Sequence, residues 1–204
     1  MGRRNEHTRD ELREIALQAA EYLVAENGLD GLSARKVVAR IGYTVGSLYM
    51  VFRNFDDLIV QMNERTLVAL HQRLLDAVAD RPPPVVALRA LADAYIDFAL
   101  TQTHRWLAIY QHRLPEGEPT PELATEKVTQ MFGLVQRELA LLRTHASAED
   151  IALAARALWS GIHGVCILGF DRKLEIAGGR SIPDVAGSLL DNYLAGFVSD
   201  QEAG

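Results

Sequence analysis

The chain has 204 residues, 49% of them hydrophobic and 24% charged, enough apolar material to bury a core and too much for a disordered chain. Its formal net charge of −6 argues against a strongly basic polyanion binder, and a single cysteine, Cys166, excludes an internal disulfide framework. Residues 1–13 carry no apolar stretch of the kind a signal peptide needs, and charges or histidines interrupt every apolar run, so a cytoplasmic chain without a membrane span is expected.

In chain order, almost every segment repeats its apolar residues with a period of 3.6, and alternation typical of strands is absent. An all-α fold of about nine helices follows. The first is expected from Thr8, where Thr8-Arg9-Asp10-Glu11 forms a capping box, to a stop at Asn27-Gly28. Two short helices then flank Ile41-Gly42-Tyr43-Thr44. The first of these starts at Ser33, buries Val37, Val38 and Ile41, and ends at Gly42. The second, over 45–51, is capped by Thr44; it turns Val45, Leu48 and Phe52 inward and Ser47 and Tyr49 elsewhere. Two such helices around a four-residue turn make a helix-turn-helix, and a two-turn helix presented by its N-terminal end suits a DNA major groove.

A long helix over about 55–79, capped by Asn54, is expected to connect this head to a body that resumes after Pro82-Pro83-Pro84. Body helices are expected near 84–102, 104–113, 121–144, 148–170 and 183–199, with a proline-rich loop over 115–121 and a glycine-rich loop at Gly178-Gly179. The division expected is a three-helix DNA-binding domain over 1–55 and a helical bundle over 56–204, residues 56–80 serving as connector; the family resemblance described next implies that this bundle binds an effector and dimerises. Residues 1–60 hold eight Lys or Arg against nine Asp or Glu, which leaves the head nearly neutral and most of the negative charge in the body.

The run Thr44-Val45-Gly46-Ser47-Leu48-Tyr49-Met50-Val51-Phe52, followed by Asn54-Phe55-Asp56-Asp57-Leu58, resembles the DNA-binding domain of the TetR family of transcriptional regulators. Val51 stands where that family often has His, and Phe55 where it often has a phosphate-neutralising Lys. Farther on, Trp159-Ser160-Gly161-Ile162-His163-Gly164 resembles the Trp-His-Gly motif of one C-terminal domain type found on such heads. The resemblance implies a regulator, usually a repressor, that binds a double-stranded, pseudo-palindromic operator as a homodimer and responds to a small-molecule effector.

On that reading the DNA-binding candidates are Ser33, Arg35, Tyr43, Thr44, Val45, Gly46, Ser47, Tyr49 and Arg53, with Arg3 and Arg4 in a terminal arm. Tyr43 could reach a base edge or pack on the first helix; Tyr49 could place its hydroxyl on a phosphate; Gly46 could let the helix approach the duplex or merely pack. Tyr95, Phe98, Trp106, Tyr110, Met131, Phe132, Trp159, His163 and Phe170 are by default core, and by the resemblance the walls of an effector cavity, with polar groups such as His104, Gln111, His112 and Gln136. Ala155, Gly161, Leu168, Leu190, Tyr193, Leu194 and Phe197 on the last two helices are the expected dimer face. No catalytic constellation, cofactor loop or metal-ligand spacing emerges; His104 and His112, eight apart, are the nearest approach to one. The other classes left open are an all-α small-molecule-binding protein without operator binding and a helical-bundle enzyme.

Overall fold

Local capping signals set the helix boundaries. The computed structural model describes residues 7–176, 178 and 180–199; Arg3, Arg4 and Gly179, named above, lie outside them. Among the described residues the chain forms ten α-helices and no strand: α1 (Arg9–Asn27), α2 (Ala34–Ile41), α3 (Val45–Leu48), α4 (Phe55–Ala77), α5 (Pro84–Thr101), α6 (Thr103–Gln111), α7 (Glu122–Leu142), α8 (Ala148–Phe170), α9 (Lys173–Ile176) and α10 (Ile182–Ser199). A 3-10 turn, Leu29–Gly31, and the one-turn α9 are additions to the expected set.

The capping box is present: the Glu11 amide donates to Thr8 Oγ1 at 3.2 Å and the Thr8 amide to Glu11 Oε2 at 2.7 Å. Ser33 accepts from the Lys36 amide and Asn54 from the Asp57 amide, at 3.3 and 2.7 Å, so α2 and α4 begin where a side-chain oxygen replaces the missing intrahelical acceptor. Gly42 ends α2 at φ 75°, a left-handed conformation that costs a side chain dearly; nothing lies within 4 Å of a Cβ there, so the demand for glycine is the backbone's alone.

The chain divides into two compact units, residues 1–69 with 102–125, and residues 70–101 with 126–204. This differs from the division at residue 55 in two respects: the boundary falls inside α4, and α6, expected in the body, belongs to the first unit. In that unit Leu12, Ala16, Ala20 and Val24 of α1 form one buried core with Val37 and Val38 of α2, Leu48, Phe52, Leu58, Met62 and Ala108 of α6. Burial of each large aliphatic side chain is worth about 1.5–3 kcal/mol. Polar locks fix the register of α6: Asn63 Nδ2 donates to the Ala108 carbonyl (3.1 Å), His104 Nδ1 to the Ala25 carbonyl (2.8 Å), and His112 Nε2 meets Asp56 Oδ1 (3.0 Å). Arg65 binds both Glu14 and Glu21 at 2.8–3.1 Å, and Arg105 approaches Glu21 at 3.8 Å, so charges from α1, α4 and α6 form one network.

The second unit is built on α8, which packs against α10 and α5. Ala155, Leu158 and Ile162 of α8 are buried, as are Leu190, Leu194 and Phe197 of α10 and Leu88 and Leu91 of α5. A Cβ at Gly161 would lie 2.7 Å from Leu189 Cδ2, so glycine lets the two helices close up there. Ala155, Leu190, Leu194 and Phe197 were expected between two copies of the chain. They are instead interior to a single copy, because α10 uses its large apolar side chains to cover α8. Tyr193 likewise turns inward, its hydroxyl donating to the Ala154 carbonyl at 2.9 Å. Leu168, by contrast, is 43% exposed, and Leu153 on the same helix is 65% exposed.

Candidate nucleic-acid interface

The turn between α2 and α3 forms because Gly42 reverses the chain and the Tyr43 amide returns to the Val38 carbonyl at 3.0 Å. Thr44 then caps α3, accepting from the Ser47 amide at 3.2 Å while its hydroxyl meets Ser47 Oγ at 2.9 Å. Only four residues of α3 are regular; hydrogen-bonded turns carry the chain on to Phe52, against the 45–51 expected. Leu48, Val51 and Phe52 are buried, whereas Gly46, Tyr49 (47% exposed) and Met50 (55% exposed) face solvent.

A helix this short cannot pay its own nucleation cost, so tertiary contacts must hold it. Besides the core packing of Leu48, Val51 and Phe52, they include side chains at and just before the start of α1. The Arg9 guanidinium donates to the Met50 carbonyl and Arg13 Nη2 to the Val51 carbonyl at 2.9 Å, with the Arg13 guanidinium 5.9 Å from the Phe52 ring centre. At the other end of α3, His7 Nδ1 lies 2.8 Å from the Tyr43 hydroxyl. Sequence reasoning missed this brace, since its contacts span 36 to 41 residues and no local pattern signals them. Arg9 and Arg13 thus have carbonyl partners within the head.

Other cations are also engaged. Lys36 Nζ donates to the Gly31 carbonyl at 2.7 Å, Arg40 stacks 3.5 Å over the Tyr22 ring, and Arg53 lies 3.8 Å from Asp57. Arg35 is exposed. A Cβ at Gly46 would meet nothing nearer than Thr44 Oγ1 at 3.8 Å, so no intrachain packing requires glycine there. The two departures from the family pattern have a packing reason: Val51 is in the core and Phe55 packs against it.

In the second unit the structure gathers Tyr95, Phe132, Trp159 and His163. Trp159 and His163 stack with centroids 5.0 Å apart, Phe132 meets Trp159 edge-on at 5.4 Å, and the Tyr95 hydroxyl lies 2.9 Å from His163 Nδ1. Burial holds His163 below its ordinary pKa and so favours the neutral ring. Phe98 is buried and Met131 and Phe170 are partly so. Trp106 and Tyr110 do not join this group; both lie on α6 in the first unit, their rings 5.0 Å apart. Burial pushes the Cys166 thiol up to about 11, which makes it a poor nucleophile. His104 and His112 have separate partners, Ala25 and Asp56, and among the described residues no group of three His, Cys, Asp or Glu could hold a metal ion.

A braced, one-turn helix with a solvent-facing edge, set on a capped helix and followed by a long connecting helix, defines a helix-turn-helix regulator. Residues 16–62 match the family of bacterial regulatory proteins named for TetR, and residues 88–193 match the tetracyclin repressor-like C-terminal domain. The chain belongs to the TetR family and is a transcriptional regulator. It is 24% identical over 168 residues to the HTH-type transcriptional regulator YobS of Bacillus subtilis (strain 168), covering 80% of this chain and 84% of that one. Its fold is similar to that of a Rhodococcus sp. RHA1 protein of unknown function (TM-score 0.76, 23% identity, 96% and 98% of the two chains). It is also similar to the transcriptional regulator FadR of Bacillus subtilis in complex with stearoyl-CoA (TM-score 0.68, 14% identity, 90% and 98%).

Proposed function

We propose that this regulator is a cytoplasmic, non-catalytic repressor that binds a pseudo-palindromic DNA operator as a homodimer and leaves it when an apolar small molecule occupies its body. The observation that carries the reading is the braced α3, whose Thr44–Tyr49 segment exposes Gly46 and Tyr49 while its apolar side chains anchor it from behind. Ser33, Arg35, Tyr43, Thr44, Val45, Gly46, Ser47, Tyr49 and Arg53 are the residues assigned to the operator.

Support for the dimer comes from α8. By length and composition it is apolar enough to cross a membrane, yet only 39% of its most apolar 18-residue window is buried in the chain. Its open edge, Leu153, Ala157, Ser160, Gly164 and Leu168, follows helical spacing and mixes large with small side chains. A second copy covering this edge accounts for it better than a bilayer does, since Arg156 and His163 lie within the same stretch.

For the effector, the Tyr95, Phe132, Trp159 and His163 cluster offers apolar surface with a neutral polar pair, which fits a largely uncharged, hydrophobic ligand part. FadR, a fold neighbour, holds stearoyl-CoA. We assign the body to the Trp-His-Gly type on Trp159, His163 and Gly164, which lie within the matched span. Coupling would run along α4, whose residues up to Ala69 belong to the first unit and from Leu70 to the second.

The test is selection of random duplexes on purified protein, followed by binding to the selected site with and without stearoyl-CoA. A palindromic site with salt-sensitive affinity, released by the acyl-CoA, is expected. No enrichment at low salt would favour a small-molecule-binding protein without operator binding; enrichment without release would overturn the acyl-type effector alone.

A further inference from the structure

Tyr43 stands one residue before the Thr44 cap of α3, and His7 one residue before the Thr8 cap of α1. Both side chains therefore leave points where the backbone is fixed by capping hydrogen bonds. The Tyr43 ring packs against the core of the first unit, and its hydroxyl meets His7 Nδ1 at 2.8 Å, the two rings 6.0 Å apart and tilted by 54°. His7 is exposed, so this contact lies at the surface that carries α3.

The polarity of that hydrogen bond matters. A phenol is the better proton donor and a neutral imidazole nitrogen the better acceptor, so the favoured arrangement has the Tyr43 hydroxyl donating to His7 Nδ1. Its one proton is then used, and only oxygen lone pairs remain to face outward. Phosphate oxygens, guanine O6 and thymine O4 are acceptors and gain nothing from such a group. The exocyclic amines of adenine (N6) and cytosine (N4) are donors in the major groove and match it.

We propose that His7 is a positioning residue that holds Tyr43 as a hydrogen-bond acceptor, so that the operator base facing it carries an exocyclic amine, adenine or cytosine. The inference rests on the operator reading above. It gives one position of the half-site a chemical identity, and it makes a residue outside the helix-turn-helix responsible for it.

The experiment repeats the duplex selection with the parent protein, His7→Ala, His7→Asn, Tyr43→Phe and the His7→Ala/Tyr43→Phe double variant. The parent should show one half-site position with adenine or cytosine favoured over guanine or thymine on one strand by about tenfold, the size of one good base contact. Tyr43→Phe and His7→Ala should each reduce that preference by about 5- to 10-fold and leave other positions unchanged. His7→Asn, whose Oδ1 can accept the same proton, should retain it within about twofold, and the double variant should be no worse than Tyr43→Phe. An unchanged preference in His7→Ala, a loss spread evenly over all positions, or effects that multiply in the double variant would each overturn the role of His7 while leaving the operator reading intact. A parent protein that enriches no site overturns both.

Discussion

The two compact units are held together by different means. The first adds many directional polar contacts to its buried apolar core: caps at Thr8, Ser33, Thr44 and Asn54, carbonyls gripped by Arg9 and Arg13, and locks on α6 through Asn63, His104 and His112. The second relies more on shape, with Gly161 and Ala155 letting α10 close onto α8 beside polar contacts such as Tyr193 to the Ala154 carbonyl, and it leaves an apolar edge of α8 uncovered. A reading head needs one geometry, which hydrogen bonds specify by angle as well as distance. The pairing and response proposed for the body call for surfaces that can be covered, and burial of apolar area is indifferent to direction.

Four measurements test this contrast. The largest effect belongs to the interior of the second unit: Leu190→Ala should cost about 2–5 kcal/mol in chemical denaturation, because the neighbours of this fully buried side chain can relax only in part. Leu168→Glu, on the same unit but on its open edge, should leave helix content unchanged and convert a dimer to a monomer in analytical ultracentrifugation; a dimer surviving the change would move the interface elsewhere. Gly46→Ala should raise stability by about 0.5–1 kcal/mol, as expected for an exposed helical glycine, while weakening operator binding roughly tenfold. Equal operator affinity would show that the duplex does not approach α3 there.

The smallest effect is pH dependence from His163. Its folded pKa lies below the ordinary 6.5, so under mild acid the unfolded chain binds a proton that the folded chain refuses. Stability should fall as pH drops through and below 6.5, and His163→Gln should flatten that slope. His71, also lowered by burial, should keep part of it. A slope unchanged in the variant would remove His163 from the account.

Features that depend on neighbours in sequence were legible beforehand. Caps, the Gly42 reversal and the inward positions Val37, Val38, Leu48 and Phe52 all act within one or two helical turns, and the structure has them as read. What escaped is set by distant partners. The transfer of α6 to the first unit rests on contacts such as Asn63 to Ala108, 45 residues apart, and His112 to Asp56, 56 apart. The interior and the open edge of α8 could not be told apart because the helix is apolar on both sides, so periodicity marks no single inward face. The candidate site divides the same way: the residues assigned to the operator lie together on the 33–53 segment, while Trp106 and Tyr110 parted from the aromatic cluster with the helix that carries them.

The four-residue length of α3 also bears on the order in which the protein assembles. Its hydrogen bonds are local, and locality usually means early formation. Yet His7, Arg9 and Arg13, 36 to 41 residues away, also fasten its ends, so the docking of α1 adds to the local hydrogen bonds that shape the reading segment. A synthetic peptide of residues 30–60 would hold the most recognisable stretch of this chain without those distant fastenings, and should show less helix by circular dichroism than the same residues have in the folded head.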